Sequence, residues 1–356
     1  MGNDSLWIAA PVLALAWANG ANDVSKGVAT LLGSGLSHGR RAVVWGALCT
    51  ALGGLAALVW GTAILNTFGN GFLAPGFPLT LRFAASALTG ACGWVWLATR
   101  LGLPVSTTHA LLGGLVGAVL VIAGPAGLEF NAVAWKAAAP LLISPLIAIF
   151  LCAGLLVISR WVARRMPPWR PDCCAQEDWR KDPFTCATGP VPSRPVRRLW
   201  VVLHWLSSGA TSFARGLNDT PKIAAFLLLT MGSGAVADMT SRTALEAILP
   251  VTLAMGLGSL WGGFRVLNVL AHRVTAMDAM QGLVANVGTS ALVLAASPLG
   301  LPVSTTHVST GALMGIRFAE KNRPRQSDAL RAVLLSWVVT LPVAAVLAAV
   351  TAMLIR

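Results

Sequence analysis

LPVSTTH, at Leu103–His109, returns letter for letter at Leu301–His307. Pro104 has no N–H and biases the residue before it away from the helical region, so Leu103–Pro104 should end one helix and open another. Ser106, Thr107 and Thr108 then fall in the first turn of the new helix, as Ser304, Thr305 and Thr306 do in the second copy. Backbone N–H groups there lack helical partners, and the helix dipole is positive. Hydroxyls and free N–H groups at a helix start suit a small oxyanion, and a hydroxyl can also accept from a protonated one. An ordinary Ser/Thr cap would account for one copy. Two identical copies in halves that otherwise differ point to a shared task. His109 and His307 are expected behind the ligand-touching residues, orienting the hydroxyls or carrying a proton.

A second duplication precedes each LPVSTTH at a comparable distance. GANDVSKGVATLLGSG (Gly20–Gly35) matches GLNDTPKIAAFLLLTMGSG (Gly216–Gly234). Asn22–Asp23 and Asn218–Asp219 thus lie in apolar surroundings, where an ionisable residue is costly and points to function. Gly20 and Gly216 suggest a broken helix at each motif, whose freed N–H groups bind an anion while carbonyls and carboxylate bind a cation. Lys26 and Lys222 follow each Asp by three residues and are its neighbours on a helix. Each lysine is a cation for an anionic substrate, a partner that cancels the buried Asp, or a side chain that snorkels to the surface.

Composition sets the class. The 356 residues are 56% hydrophobic and 11% charged, with mean hydropathy +0.72, against about 25% charged in soluble domains. The runs Ala42–Leu65, Ala132–Ser159 and Ala332–Ile355 each exceed the roughly 20 apolar residues a span needs. The expectation is an all-α polytopic membrane protein whose partner is the lipid bilayer. The N-terminal MGNDSLWIAAPVLALAW has no basic region ahead of its apolar stretch, so it is expected to stay in the mature protein. The net charge of +13 sits in loops, as the positive-inside rule requires, so no nucleic acid partner is expected. Cys49, Cys92 and Cys152 read as packing residues. Cys173, Cys174 and Cys186 lie in a polar loop with no His as fourth ligand, which argues against a metal site.

The expected organisation is a first membrane repeat at 1–160, a cytoplasmic linker at 161–198 and a second repeat at 199–356. The linker is rich in arginine, including Arg164, Arg165, Arg170, Arg197 and Arg198. His38, Arg40 and Arg41 follow the first ND segment, whereas Ala235–Arg242 after the second has one Arg. Asn66–Thr80 and Gly124–Asn131 have no Lys or Arg, while their counterparts carry Arg265, Arg273, Lys321, Arg323, Arg325 and Arg331. The basic bias switches sides between halves, as in inverted-topology repeats, whose equivalent elements converge near the midplane. The pair of segments meeting at LPVSTTH is either a re-entrant hairpin or two further crossings.

At these residues the chain resembles the PiT family of inorganic phosphate transporters, whose duplicated signature is GANDVANA-like with a paired PVSTTH-like element. The likeness lies in GANDVSK, GLNDTPK and the two PVSTTH copies, and covers both halves. It implies an inverted-repeat fold with broken and paired short helices around a midplane site. It also implies transport of inorganic phosphate by alternating access, coupled to H+ or Na+, with sulfate or a related oxyanion as the alternative. The implied substrate-binding residues are Asn22, Asp23, Ser106, Thr107, Thr108, Asn218, Asp219, Ser304, Thr305 and Thr306, with Lys26 and Lys222 added from this sequence. Any Na+ would sit near Asp23 and Asp219, and no organic cofactor is expected. Where the family usually has Asn, this chain has Lys26 and Lys222. Thr50 and Asn286 stand where members often carry glutamates. The expectation is therefore a sodium-independent or proton-coupled carrier, in a bacterial inner membrane, as a monomer or a homo-oligomer. An anion channel is the less favoured class, and without a nucleophile–base motif or metal cluster an enzyme is not expected.

Overall fold

The computed structural model describes residues 3–165, 194–230, 241–271, 277–319 and 327–355. In a bilayer each backbone polar group must be satisfied internally, and these apolar runs accordingly form helices. In the first half these are α1 (Asn3–Gly33), α2 (Gly39–Trp60), α3 (Thr62–Gly69), α4 (Leu81–Leu101), α5 (Thr107–Ile122), α6 (Phe130–Ala132) and α7 (Ala139–Arg165). In the second they are α8 (Arg194–Thr230), α9 (Ser241–Gly262), α10 (Phe264–Val269), α11 (Ala279–Ala296), α12 (Thr305–Phe318) and α13 (Ser327–Leu354). A π-helical stretch, Val133–Ala138, joins α6 to α7. Among the described residues, five segments are long and apolar enough to cross a membrane: Gly39–Trp60, Phe130–Val162, Arg242–Gly262, Ala279–Ala296 and Leu334–Leu354.

The run expected to be one span at Ala42–Leu65 is divided at Gly61, which closes α2 and opens α3. The chain breaks where the two prolines place the breaks. Past α4, Gly102 adopts φ 74°, open to glycine without strain, and donates to the carbonyls of Ala98 and Thr99. Extended residues lead to Ser106, which caps α5. Gly300 (φ 68°) and Ser304 do the same ahead of α12.

The expected break at the ND motifs is absent. α1 passes unbroken through Gly20, Asn22 and Asp23, and α8 through Gly216, Asn218 and Asp219. The glycines serve helix contact instead. A Cβ on Gly20 would run into the carbonyl oxygen of Met255 on α9, and one on Gly216 into that of Thr50 on α2. Small residues at such crossings let membrane helices approach closely.

These contacts are reciprocal: the first motif helix packs on α9 of the second half, and the second motif helix on α2 of the first. The LPVSTTH helices repeat the exchange. Gly113 and Gly117 of α5 meet the backbone of Leu341 and Ala345 on α13, while Gly311 and Gly315 of α12 meet Pro145 and Ile149 on α7. Each half thus packs its motif helix and its LPVSTTH helix against long helices, the motif helices against the other half. Both motif helices and both LPVSTTH turns consequently meet in the interior. Cys49 and Cys152 are buried, and Cys92 partly so, as free thiols. Most of the 161–198 linker lies outside the described residues, with Cys173, Cys174, Cys186 and the basic residues Arg273, Lys321, Arg323 and Arg325.

Candidate functional site

Each motif lysine is held inside the protein. Lys26 is 5% exposed and Lys222 1%, so neither snorkels to a surface. Three-residue helical spacing puts each beside its Asp: Lys26 pairs with Asp23, and Lys222 Nζ lies 3.0 Å from Asp219 Oδ1. Both ammonium groups also turn to the LPVSTTH turn of their own half. Lys26 donates to the Val105 carbonyl (3.1 Å) and Lys222 to that of Val303 (3.0 Å). Lys222 reaches across to Thr108 Oγ1 as well, at 2.8 Å.

The asparagines tie each motif to the same turns. Asn22 donates to the Leu103 carbonyl (2.9 Å) and Thr99 Oγ1 (3.0 Å), and accepts from the Val105 N–H (3.1 Å). Asn218 donates to the Val303 carbonyl (3.1 Å) and to Asp219 Oδ1 (2.9 Å). The threonines cross between halves: Thr306 Oγ1 donates to the Val105 carbonyl (2.7 Å) and Thr108 Oγ1 to that of Val303 (3.4 Å). Each valine carbonyl is thus shared by a lysine of its own half and a threonine of the other.

The serines differ from the threonines. Ser106 accepts from the His109 N–H (3.2 Å) and also lies 2.9 Å from His109 Nδ1, so its hydroxyl is committed to the cap and the imidazole. Ser304 accepts from the His307 N–H in the same way (3.2 Å). The two imidazole rings lie 4.4 Å apart at the junction of the halves, and Trp337 covers His307 at 4.0 Å. Thr305 is buried with them. All fourteen residues named from the motifs are buried, so the cluster is closed to solvent on both sides. Among the described residues no group of His, Cys, Asp and Glu is arranged to hold a metal.

Residues 19–348 match the sequence profile described as "Phosphate transporter family". The chain belongs to the phosphate transporter family. That family is one of transporters rather than enzymes. A "Probable low-affinity inorganic phosphate transporter" of Rhizobium meliloti is 28% identical over 93% of this chain and 90% of its own length. One with the same description from Mycobacterium bovis is 26% identical over 97% of this chain and 76% of its own. "Inorganic phosphate transporter 2-1, chloroplastic" of Arabidopsis thaliana is 27% identical over 94% and 69%. A solved structure described as "The sodium-dependent phosphate transporter" shares the fold, with TM-score 0.82 over 99% of this chain and 98% of that one at 22% identity.

Two buried polar residues join the cluster beyond the motif residues. Asn19 Nδ2 donates to Thr107 Oγ1 (2.8 Å) and Asp23 Oδ2 (3.3 Å). Arg215, at the same place in the second copy, is 1% exposed and donates through Nη2 to Thr50 Oγ1 (2.6 Å) and Ser259 Oγ (3.3 Å). Each stands four residues before its Asp, one helical turn away on the same face. The signal was available: a polar and a charged residue in apolar helices, at symmetric positions. Asn286 donates to Thr30 Oγ1 (2.9 Å) and Ser207 Oγ (3.4 Å).

Proposed function

We propose that this chain carries inorganic phosphate through the bilayer by alternating access, with its anion held between the two ND helices and the two LPVSTTH turns. Membership of the family and the descriptions of its relatives support the substrate. One observation favours phosphate over sulfate. Asp219 Oδ2, Asn218 Oδ1 and Asn19 Oδ1 are buried acceptors without a partner among the described residues, and Arg215 Nε and Nη1 are buried donors without one. Phosphate brings both acceptor oxygens and a P–OH, whereas sulfate brings only acceptors. Each acceptor left dry costs about 1–3 kcal/mol, or roughly 5- to 140-fold in affinity. The closed cluster fits a carrier with an occluded state better than a channel with a continuous polar path.

The carrier works without sodium. Lys222 Nζ is surrounded by a carboxylate oxygen, a backbone carbonyl and a hydroxyl, the all-oxygen set a hard cation uses. Lys26 sits against a carboxylate and a carbonyl in the same manner. These ammonium groups supply tethered positive charge where a coupling cation would otherwise be taken up, which leaves H+ as the driving ion across a bacterial inner membrane. Uptake of labelled phosphate and labelled sulfate into proteoliposomes, with sodium and proton gradients imposed separately, is the test. Saturable phosphate uptake that follows the proton gradient in sodium-free buffer is expected. Uptake that strictly needs sodium, or that prefers sulfate, would refute the corresponding part.

A further inference from the structure

The two Asp–Lys pairs cancel their own charges; Arg215 does not. Three formal positive charges in the cluster, on Lys26, Lys222 and Arg215, face two negative ones on Asp23 and Asp219. No ion pair joins Arg215 to a carboxylate among the described residues. Its guanidinium has five N–H donors. The two on Nη2 go to Thr50 and Ser259, while Nε and Nη1 are buried and have no partner among the described residues. Arg215 stands one helical turn before Asp219 on the same face of α8, so it belongs to the same cluster. Ser259, which holds Nη2, also donates to the Gly20 carbonyl (3.2 Å) and so ties the guanidinium to the first motif. A buried cation with three unused donors is costly unless an anion meets it. The planar guanidinium also matches the oxygens of a phosphate better than an ammonium does.

Resting on the phosphate reading above, we infer that Arg215 is the substrate's counter-charge: its free N–H groups bind phosphate oxygens, and its single excess charge is neutralised by one monoanionic phosphate. The motif lysines, already paired, position the turns. The anion's acidic P–OH groups then face the dry acceptors Asp219 Oδ2, Asn218 Oδ1 and Asn19 Oδ1.

The test compares wild type with Arg215→Gln, Arg215→Lys and Thr50→Glu. Each is purified in detergent, checked for a monodisperse peak, titrated with inorganic phosphate by thermal shift, and reconstituted for uptake. Arg215→Gln should weaken phosphate binding about tenfold or more and raise KM in step. Arg215→Lys, which keeps the charge, should recover part of the affinity. Thr50→Glu leaves the guanidinium in place but gives it a carboxylate at the position that now meets Nη2, and should weaken phosphate as the Gln variant does. A folded Arg215→Gln with wild-type phosphate affinity overturns the inference. If that variant does not purify as a monodisperse carrier, Thr50→Glu decides by the same criterion. A wild type that responds to sulfate and not to phosphate overturns the substrate reading instead, and Arg215 is then judged by the same comparison with sulfate.

Discussion

Replacing Lys222 with Asn removes an ammonium group that three oxygens now enclose. Lys222 Nζ meets Asp219 Oδ1 at 3.0 Å, the Val303 carbonyl at 3.0 Å and Thr108 Oγ1 at 2.8 Å. The shorter Asn leaves Asp219 as a buried carboxylate whose remaining donor to Oδ1 is Asn218. Breaking a buried ion pair from one side costs about 3–5 kcal/mol. The vacated position, however, keeps a negative charge and three oxygens in a dry interior, which a small hard cation can fill. If sodium binds there, stability recovers by RT ln(1 + [Na+]/Kd), about 2.7 kcal/mol when sodium is a hundredfold above Kd. Thermal unfolding of purified Lys222→Asn should therefore fall well below wild type in choline chloride and climb again in sodium chloride. The wild-type melt should be the same in both salts. Phosphate uptake by the variant should gain a dependence on sodium that the wild type lacks. A variant that unfolds at the wild-type temperature in both salts would refute the reasoning, because the lysine would then balance no charge. So would a wild type that sodium itself stabilises.

Other substitutions separate charge, packing and capping. Asp23→Asn strands Lys26 with the Val105 carbonyl as its acceptor, at a cost of about 3–5 kcal/mol. Uptake should fall to background while the protein still inserts and purifies; wild-type uptake would remove Asp23 from the site. Gly216→Ala drives a Cβ into the Thr50 carbonyl and should cost about 1–3 kcal/mol or more. Gly256→Ala, with open space around its Cβ, should stay within about 0.5 kcal/mol of wild type. Equal melts for these two would show that the reciprocal helix crossing is not tight. Ser106→Ala should lower stability by about 0.5–2 kcal/mol through the lost cap, with KM for phosphate changed by no more than about threefold. A much larger rise in KM would make Ser106 a ligand rather than a cap.

Much of this protein could be read along the chain. Leu103–Pro104 and Leu301–Pro302 stop a helix by local sterics, and Ser106 and Ser304 restart one by accepting a backbone N–H; neither effect needs a distant partner. The three-residue step from Asp23 to Lys26 and from Asp219 to Lys222 puts each pair side by side on any helix. Local rules misled at Gly20 and Gly216. A glycine that breaks a helix and one that admits a neighbouring backbone look alike until that neighbour, Met255 or Thr50, is in place. Duplication announced two equivalent halves, but it could not say that each motif helix packs on the other half, or that Thr108 and Thr306 would cross to each other's valine carbonyls. Those pairings join residues about two hundred positions apart, and no periodicity records which faces will meet. The tertiary structure alone brought Arg215 to Thr50 and Ser259, left its remaining N–H groups dry, and closed the cluster around one excess positive charge. Charge balance in a buried site is a sum over side chains from several helices, and it exists only once those helices are packed.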